Sequence, residues 1–310
     1  MSIAFVFPGQ GAQTIGMGRD LAQAYPAASA VFEEVDAALG EKLSALIWDG
    51  DIAELTLTRN AQPALMATSM AALAALEAEG AGIERASCVA GHSLGEYSAL
   101  AASGALGLAD TARLLRLRGQ AMQDAVPVGV GAMAAILGLD LETVAAIAAE
   151  AAEGEVCQAA NDNDPAQVVV SGHAGAVARA AELAKARGAK RALMLPVSAP
   201  FHCALMQPAA EAMASALADV TINAPRVPLY ANVTAAPVTD PAEIRALLVQ
   251  QVTGAVRWRE SVAAMAGAGV TAFWEIGAGK ALSGMIRRIA REAETRAVGS
   301  AEEARAAAAG

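Results

Sequence analysis

The chain has 310 residues, 17% of them charged, and a formal net charge of −10. That length supports a large core and more than one folded unit, and the acidic balance argues against nucleic acid as the main partner. Mean hydropathy is +0.39, yet the longest apolar stretches, Ala67 to Leu76 and Ala99 to Ala109, fall short of the roughly 20 residues a membrane-spanning helix needs. Three widely spaced cysteines, Cys88, Cys157 and Cys203, make neither a disulfide framework nor a zinc site. A reducing cytoplasm is the expected location.

The N-terminal run Ser2 to Pro8 has no basic region or cleavage pattern ahead of it and reads as a first strand rather than a signal peptide. The strand leads into Phe7-Pro8-Gly9-Gln10-Gly11-Ala12-Gln13, a glycine-flanked loop able to present a main-chain N–H to an oxyanion. It is not a P-loop, since no Gly-Lys-Ser/Thr follows, and Thr14 breaks a Gly-x-Gly-x-x-Gly pattern. Ser87 to Ala90 reads as a short buried strand and Glu96 to Ala102 as a helix. Between them lies Gly91-His92-Ser93-Leu94-Gly95, the form of a nucleophile elbow, in which a sharp strand-to-helix bend projects the serine hydroxyl. A helix follows from Thr111 to Gln123. On it Arg113 and Arg116 read as a solvated face, and Arg118 lies at the polar–apolar edge.

From Pro127 to Val197 the order becomes strand (131–137), helix (141–152), strands (156–160 and 167–171) around a turn-rich Asn161 to Pro165, helix (176–187) and strand (191–197). That β-α-β-β-α-β order is ferredoxin-like, and it predicts an inserted small domain at 128–197. The alternative is that these strands extend the main sheet. Residues 1–127 and 198–310 then form one discontinuous α/β domain with a largely parallel sheet. Beyond the insert come the Pro200-Phe201-His202 loop, a helix from Cys203 to Leu217, a strand at 227–231, a helix at 242–251 and a strand at 271–276. The alanine-rich tail, 301–310, is expected to fray.

A serine hydroxyl needs a base, and the chain has three histidines. His92 adjoins the serine and diverges from it around the turn. His173 sits in a Ser-Gly-His segment and reads as a surface turn residue. His202 lies downstream at the mouth of a helix and is the best base. An acid to orient it is not marked: Asp110, Asp124, Asp140, Asp162 and Asp164 lie between Ser93 and His202, and a main-chain carbonyl would serve as well. Arg118 near such a nucleophile would bind a carboxylate in bidentate fashion.

Taken together, Phe7-Pro8-Gly9-Gln10-Gly11, Gly91-His92-Ser93-Leu94-Gly95-Glu96-Tyr97, Leu117-Arg118-Gly119 and Pro200-Phe201-His202 resemble the malonyl-CoA:acyl-carrier-protein transacylases over essentially the whole chain. The resemblance implies an α/β-hydrolase-like large domain with a ferredoxin-like insert. It implies Ser93 as the acylated nucleophile, His202 as its base and Arg118 as the holder of the malonyl carboxylate. Main-chain N–H groups of Gln10 and Leu94 would form the oxyanion hole, and the main-chain carbonyl of Gln251 (with Gln250 next to it) would orient His202. Phe201 is the residue type of malonyl-selective members, its bulk crowding an α-methyl branch.

The implied reaction is ping-pong transfer of malonyl from malonyl-CoA to the pantetheine thiol of acyl carrier protein, supplying type II fatty acid synthesis, with no metal or redox cofactor and a monomeric enzyme. Arg287, Arg288, Lys185, Arg187, Lys190 and Arg191 are candidates for docking the acidic carrier. The rival readings are an acyltransferase of a polyketide synthase or a malonate decarboxylase, a serine esterase, and a non-enzymatic carrier-protein scaffold.

Overall fold

In chain order the strands are β1 (Ile3–Phe7), β2 (Ala86–Gly91), β3 (Gly131–Leu137), β4 (Cys157–Asp164), β5 (Gln167–His173), β6 (Arg191–Met194), β7 (Leu229–Tyr230), β8 (Pro237–Val238), β9 (Ala272–Ile276) and β10 (Glu294–Val298). The computed structural model describes residues 2–197 and 199–309. β1 is apolar throughout, and a strand apolar on both faces must be covered on both. It lies within a six-stranded sheet of order β10-β9-β1-β2-β7-β8. Every pairing in that sheet is parallel except β7 with β8.

The two faces of β1 alternate as strand geometry requires. Phe5 and Phe7 enter a cluster with Leu65, Ala72 and Leu76 of the helix Thr58–Ala78. Ala4 and Val6 face Trp258, Val262 and Leu282, from the helices Trp258–Gly267 and Ala281–Ile289. The helix Thr58–Ala78 is buried along nearly its whole length because the helices Pro26–Leu39 and Leu108–Asp124 pack against it. Among the described residues no helix is long and apolar enough to cross a membrane.

β3 to β6 do not extend this sheet. They form a separate antiparallel sheet of order β4-β5-β3-β6. The helices Leu141–Ala152 and Ala174–Ala186 cover one of its faces through Val144, Ile147, Val177 and Ala180. Main-chain bonds join β4 to the segment ahead of the helix Trp258–Gly267. Val256 N–H donates to the Ala160 carbonyl at 2.8 Å, and Asp162 N–H donates to that of Val256 at 2.9 Å. The boundary expected at 197/198 involves Ser198, which, with Met1 and Gly310, lies outside the described residues.

Two local expectations are corrected. Asn161 to Asp164 is not a turn but the buried second half of β4. Its polar side chains have partners the sequence does not reveal: Asp162 pairs with Arg259, Asp164 with Arg288, and Asn163 bonds His92. The tail does not fray along 301–309. Ser300 caps a helix, Ala301–Ala308, whose Ala301, Ala304 and Ala307 are buried at helical spacing.

Candidate active site

The loops that follow β1, β2 and β7 converge at the carboxyl ends of the parallel strands, the usual ligand-binding edge of such a sheet. β2 ends at Gly91 and the next helix begins at Gly95. The bend between them leaves no space for side chains at either glycine. A Cβ on Gly91 would fall 1.9 Å from the Gly95 main chain, and one on Gly95 would fall 2.2 Å from the Phe7 carbonyl. At the apex Ser93 has φ 54°, a left-handed conformation that costs a non-glycine residue about 1–3 kcal/mol. Three hydrogen bonds hold it there. Its N–H donates to Asn232 Oδ1 at 2.8 Å. Its carbonyl accepts from Glu96 N–H at 3.1 Å and from Gln251 Nε2 at 2.9 Å.

His202 Nε2 lies 2.7 Å from Ser93 Oγ. Its Nδ1 faces two main-chain carbonyls, Gln251 at 2.9 Å and Gly254 at 3.2 Å. Both can only accept, so Nδ1 carries the proton and Nε2 is left to accept from the serine hydroxyl. Burial, reinforced by the nearby Arg118 charge, holds the imidazole down at about 3, against the raising effect of those carbonyls. No carboxylate contacts the ring among the described residues. Of the open alternatives for the orienting group, the carbonyl at 251 rather than 250 is the one in contact.

Arg118 is 1% exposed, not at the edge of its helix as the sequence suggests. Nη1 donates to Gln62 Oε1 at 2.9 Å and Nη2 to Gln251 Oε1 at 2.7 Å. Nη2 also stands 3.3 Å from Ser93 Oγ, and the guanidinium carbon lies 5.7 Å from the Tyr97 ring centre. Burial lowers its pKa from the ordinary value. Its hydrogen-bond partners are neutral and the buried Glu96 acts on it only through space, and a buried cation with no directly bonded anion favours an anionic ligand beside it. Arg116, expected to be solvated, instead pairs with Glu41 and bonds the Arg59 carbonyl.

A cavity of about 420 Å³ opens over these groups, lined from the large sheet by Gln10, Ser93 and Arg118 and from the small sheet by Met133 and Asn161. Phe201, 9% exposed, forms part of its wall. Gln10 follows β1, and Leu94 stands at the start of the helix Gly95–Ala102, where the helix dipole favours negative charge. Among the described residues neither main-chain N–H has a main-chain acceptor. His92 bonds Asn163 at 2.8 Å and leans on Trp258, away from the serine hydroxyl. His173 is not a free turn residue: it ends β5, and its Nδ1 accepts from Val156 N–H at 2.9 Å. Among the described residues no group of three or more His, Cys, Asp or Glu could hold a metal.

Sequence reasoning missed four contributors: the side chains of Gln62, Glu96, Asn232 and Gln251. Glu96 was visible inside the elbow motif. Gln62 is a polar residue inside a fully buried helical stretch, a signal in itself, since buried amides are held by partners.

The match to known proteins agrees with this geometry. Residues 4–307 match the acyl transferase domain family. The chain is 50% identical over 286 residues to the malonyl CoA-acyl carrier protein transacylase of Escherichia coli K12, covering 92% of each. Its fold matches the acyl-carrier-protein-S-malonyltransferase of Bartonella henselae with a TM-score of 0.97 at 57% identity, covering 99% of this chain and 98% of that one. It also matches a malonyl-transacylase solved in complex with a type II PKS acyl-carrier protein, with a TM-score of 0.95, 42% identity and 98% of each chain covered. The chain belongs to the malonyl CoA-acyl carrier protein transacylases, within the acyl transferase domain family.

Proposed function

We propose that the protein transfers malonyl from malonyl-CoA to the phosphopantetheine thiol of acyl carrier protein through a malonyl ester on Ser93, supplying type II fatty acid synthesis. His202 Nε2 takes the Ser93 proton as Oγ attacks the thioester carbon. The tetrahedral oxyanion is held by the N–H groups of Gln10 and Leu94, where a donor in a comparable site contributes about 3–4 kcal/mol. The proton then passes to the leaving thiolate of coenzyme A. In the second half His202 deprotonates the carrier thiol, which attacks the ester and regenerates Ser93. Each step moves only an acyl group and a proton, so Ser93, His202 and the main-chain donors suffice without a cofactor.

The observation that carries the reading is Arg118: buried, bonded only to neutral groups, and 3.3 Å from the serine oxygen. The malonyl carboxylate would bond this guanidinium directly, whereas an acetyl group leaves it bonded only to neutral groups. An esterase has no use for such a cation. Phe201, on the cavity wall, is the residue we assign to excluding an α-methyl branch.

The finer architecture is part of the same proposal. Strand order and helix placement support a ferredoxin-like insert at 128–197 within a hydrolase-like domain, 1–127 and 198–310. For carrier docking, Lys185, Arg187 and Arg288 already have carboxylate partners. That leaves Lys190, Arg191 and Arg287 as the cations we assign to the acidic carrier. Lys190 and Arg191 stand beside the exposed Leu193 and Met194 of β6, a strand that leads to the cavity wall. One chain supplies the whole constellation, which supports a monomer, and three free, buried cysteines support a cytoplasmic location.

Mass spectrometry of the protein mixed with malonyl-CoA tests the reading. A malonyl adduct on Ser93 that moves to added carrier protein is expected. An adduct lost to water at the same rate without carrier would make the protein a hydrolase.

A further inference from the structure

Glu96 follows Ser93 by three residues and is 1% exposed. The proposed acyl transfer moves neither its proton nor its oxygens. Its carboxylate accepts from Gln251 Nε2 at 2.6 Å, and the main-chain N–H of Asn232 faces it. Gln251 Nε2 has two hydrogens, and the other goes to the Ser93 carbonyl at 2.9 Å. With both directed, Gln251 Oε1 must face the opposite way, and it meets Arg118 Nη2 at 2.7 Å. The two ends of an amide are nearly equal in shape, so only its partners decide which end points where.

We propose that Glu96 is a positioning residue for malonyl recognition: by accepting from Gln251 Nε2 it keeps Gln251 Oε1 on Arg118 and fixes the angle of the guanidinium toward the acyl carboxylate. This rests on Arg118 as the carboxylate binder. A reversed amide would turn its NH₂ against the guanidinium, donor facing donor, and leave Arg118 anchored by Gln62 alone. Two N–H groups face Glu96, and an ionised carboxylate offers a full acceptor to each. A glutamine amide, or a protonated carboxyl, offers one acceptor atom and one donor group, so the two N–H groups must crowd onto one oxygen or one of them must face a donor.

Ionisation of Glu96 therefore bears on selectivity. Burial pushes its carboxyl up to about 7, against the lowering effect of the Gln251 and Asn232 bonds and of the Arg118 charge. The charged and titratable groups that face it are Arg118, from the helix Leu108–Asp124, and Tyr97, from its own helix. Gln251 and Asn232, from the remaining elements, do not titrate. His202 stands far lower, at about 3.

The test uses the full chain with Glu96→Gln, Gln251→Met, the double variant and Arg118→Ala, assayed with malonyl-CoA and acetyl-CoA across about pH 5.5 to 8.5. In Glu96→Gln, kcat/KM for malonyl-CoA is expected to fall about tenfold further than that for acetyl-CoA, which loses only the support of the Gln251 bond to the Ser93 carbonyl. The double variant should be no worse than Gln251→Met, because Glu96 acts through that amide. The native malonyl-to-acetyl preference should decline below about pH 7, and Glu96→Gln should show the low preference throughout.

Equal loss of both substrates, a multiplicative double variant, or an unchanged malonyl preference in Glu96→Gln overturns the role of Glu96. If Glu96→Gln does not fold, the pH dependence of the native preference decides, and a flat ratio overturns it. Arg118→Ala separates the two ideas. If it keeps the malonyl preference, both fall. If it loses that preference while Glu96→Gln does not, only the role of Glu96 falls.

Discussion

His202 and Arg118 meet at the same serine oxygen and are held there by different means. His202 is set by the main chain: two carbonyls fix its proton, and its own backbone, like that of Ser93, is left-handed, with φ 57° and 54°. Arg118 is set by side chains, the amide oxygens of Gln62 and Gln251. The orientation of His202 thus rests on main-chain carbonyls that no side-chain change at 251 or 254 can delete, although the Gln251 amide also bonds the Ser93 carbonyl. Recognition rests on amides that one substitution can remove. The contrast predicts that selectivity can be altered while acylation survives.

The largest effect should come from the backbone-held pair. Ser93→Ala should lower transfer roughly 10⁴-fold or more and abolish the malonyl adduct seen by intact-mass measurement. His202→Ala should cost roughly 10³–10⁴ in acylation rate, read by stopped-flow release of coenzyme A. Next comes Arg118→Ala, with malonyl transfer down about 10²–10³-fold and acetyl transfer much less affected. Equal loss of both would erase the distinction between the two halves of the site.

Smaller effects sharpen the same contrast. Phe201→Ala should raise the methylmalonyl-to-malonyl ratio of kcat/KM by about tenfold, with malonyl acylation itself little changed. An unchanged ratio would remove Phe201 from the selectivity half. Charge reversal at Lys190 and Arg191 should raise KM for carrier protein and leave malonyl-CoA acylation alone. The smallest effect is on stability. His202 is held at about 3 in the folded chain and titrates near 6.5 when unfolded. The unfolded chain therefore binds the extra proton between these values, and stability is lost as pH falls through that window. His202→Asn should flatten the melting temperature over that range.

Sequence alone singled out Ser93, His202 and Arg118, which the fold brings to one point, because each is a side chain in a recognisable local pattern. The orienting group was legible only by resemblance, since a carbonyl at 251 is identical in kind to the one at 250. The elbow glycines were readable because close approach excludes a Cβ, and the 1.9 Å and 2.2 Å clashes give the reason. The wiring behind Arg118 was not readable, because it joins residues 62, 96 and 251 from three separate elements. The fold failed to be legible where partners are remote. Asn161 to Asp164 looks like a turn until Arg259, Arg288 and His92 are placed against it. The alanine tail looks unbound until its buried stripe meets the core.

The neutral partners of His202 also bear on which nucleophile can finish the reaction. A carboxylate in their place would stabilise the imidazolium and strengthen the base. As it stands, the imidazole, held down by burial, can take a proton from a weakly acidic hydroxyl only where that hydroxyl is held against Nε2, as Ser93 Oγ is at 2.7 Å. A thiol near 8.5 asks much less of it. Orientation by carbonyls rather than by an acid thus favours, for the proposed serine ester, a thiol as the nucleophile that resolves it.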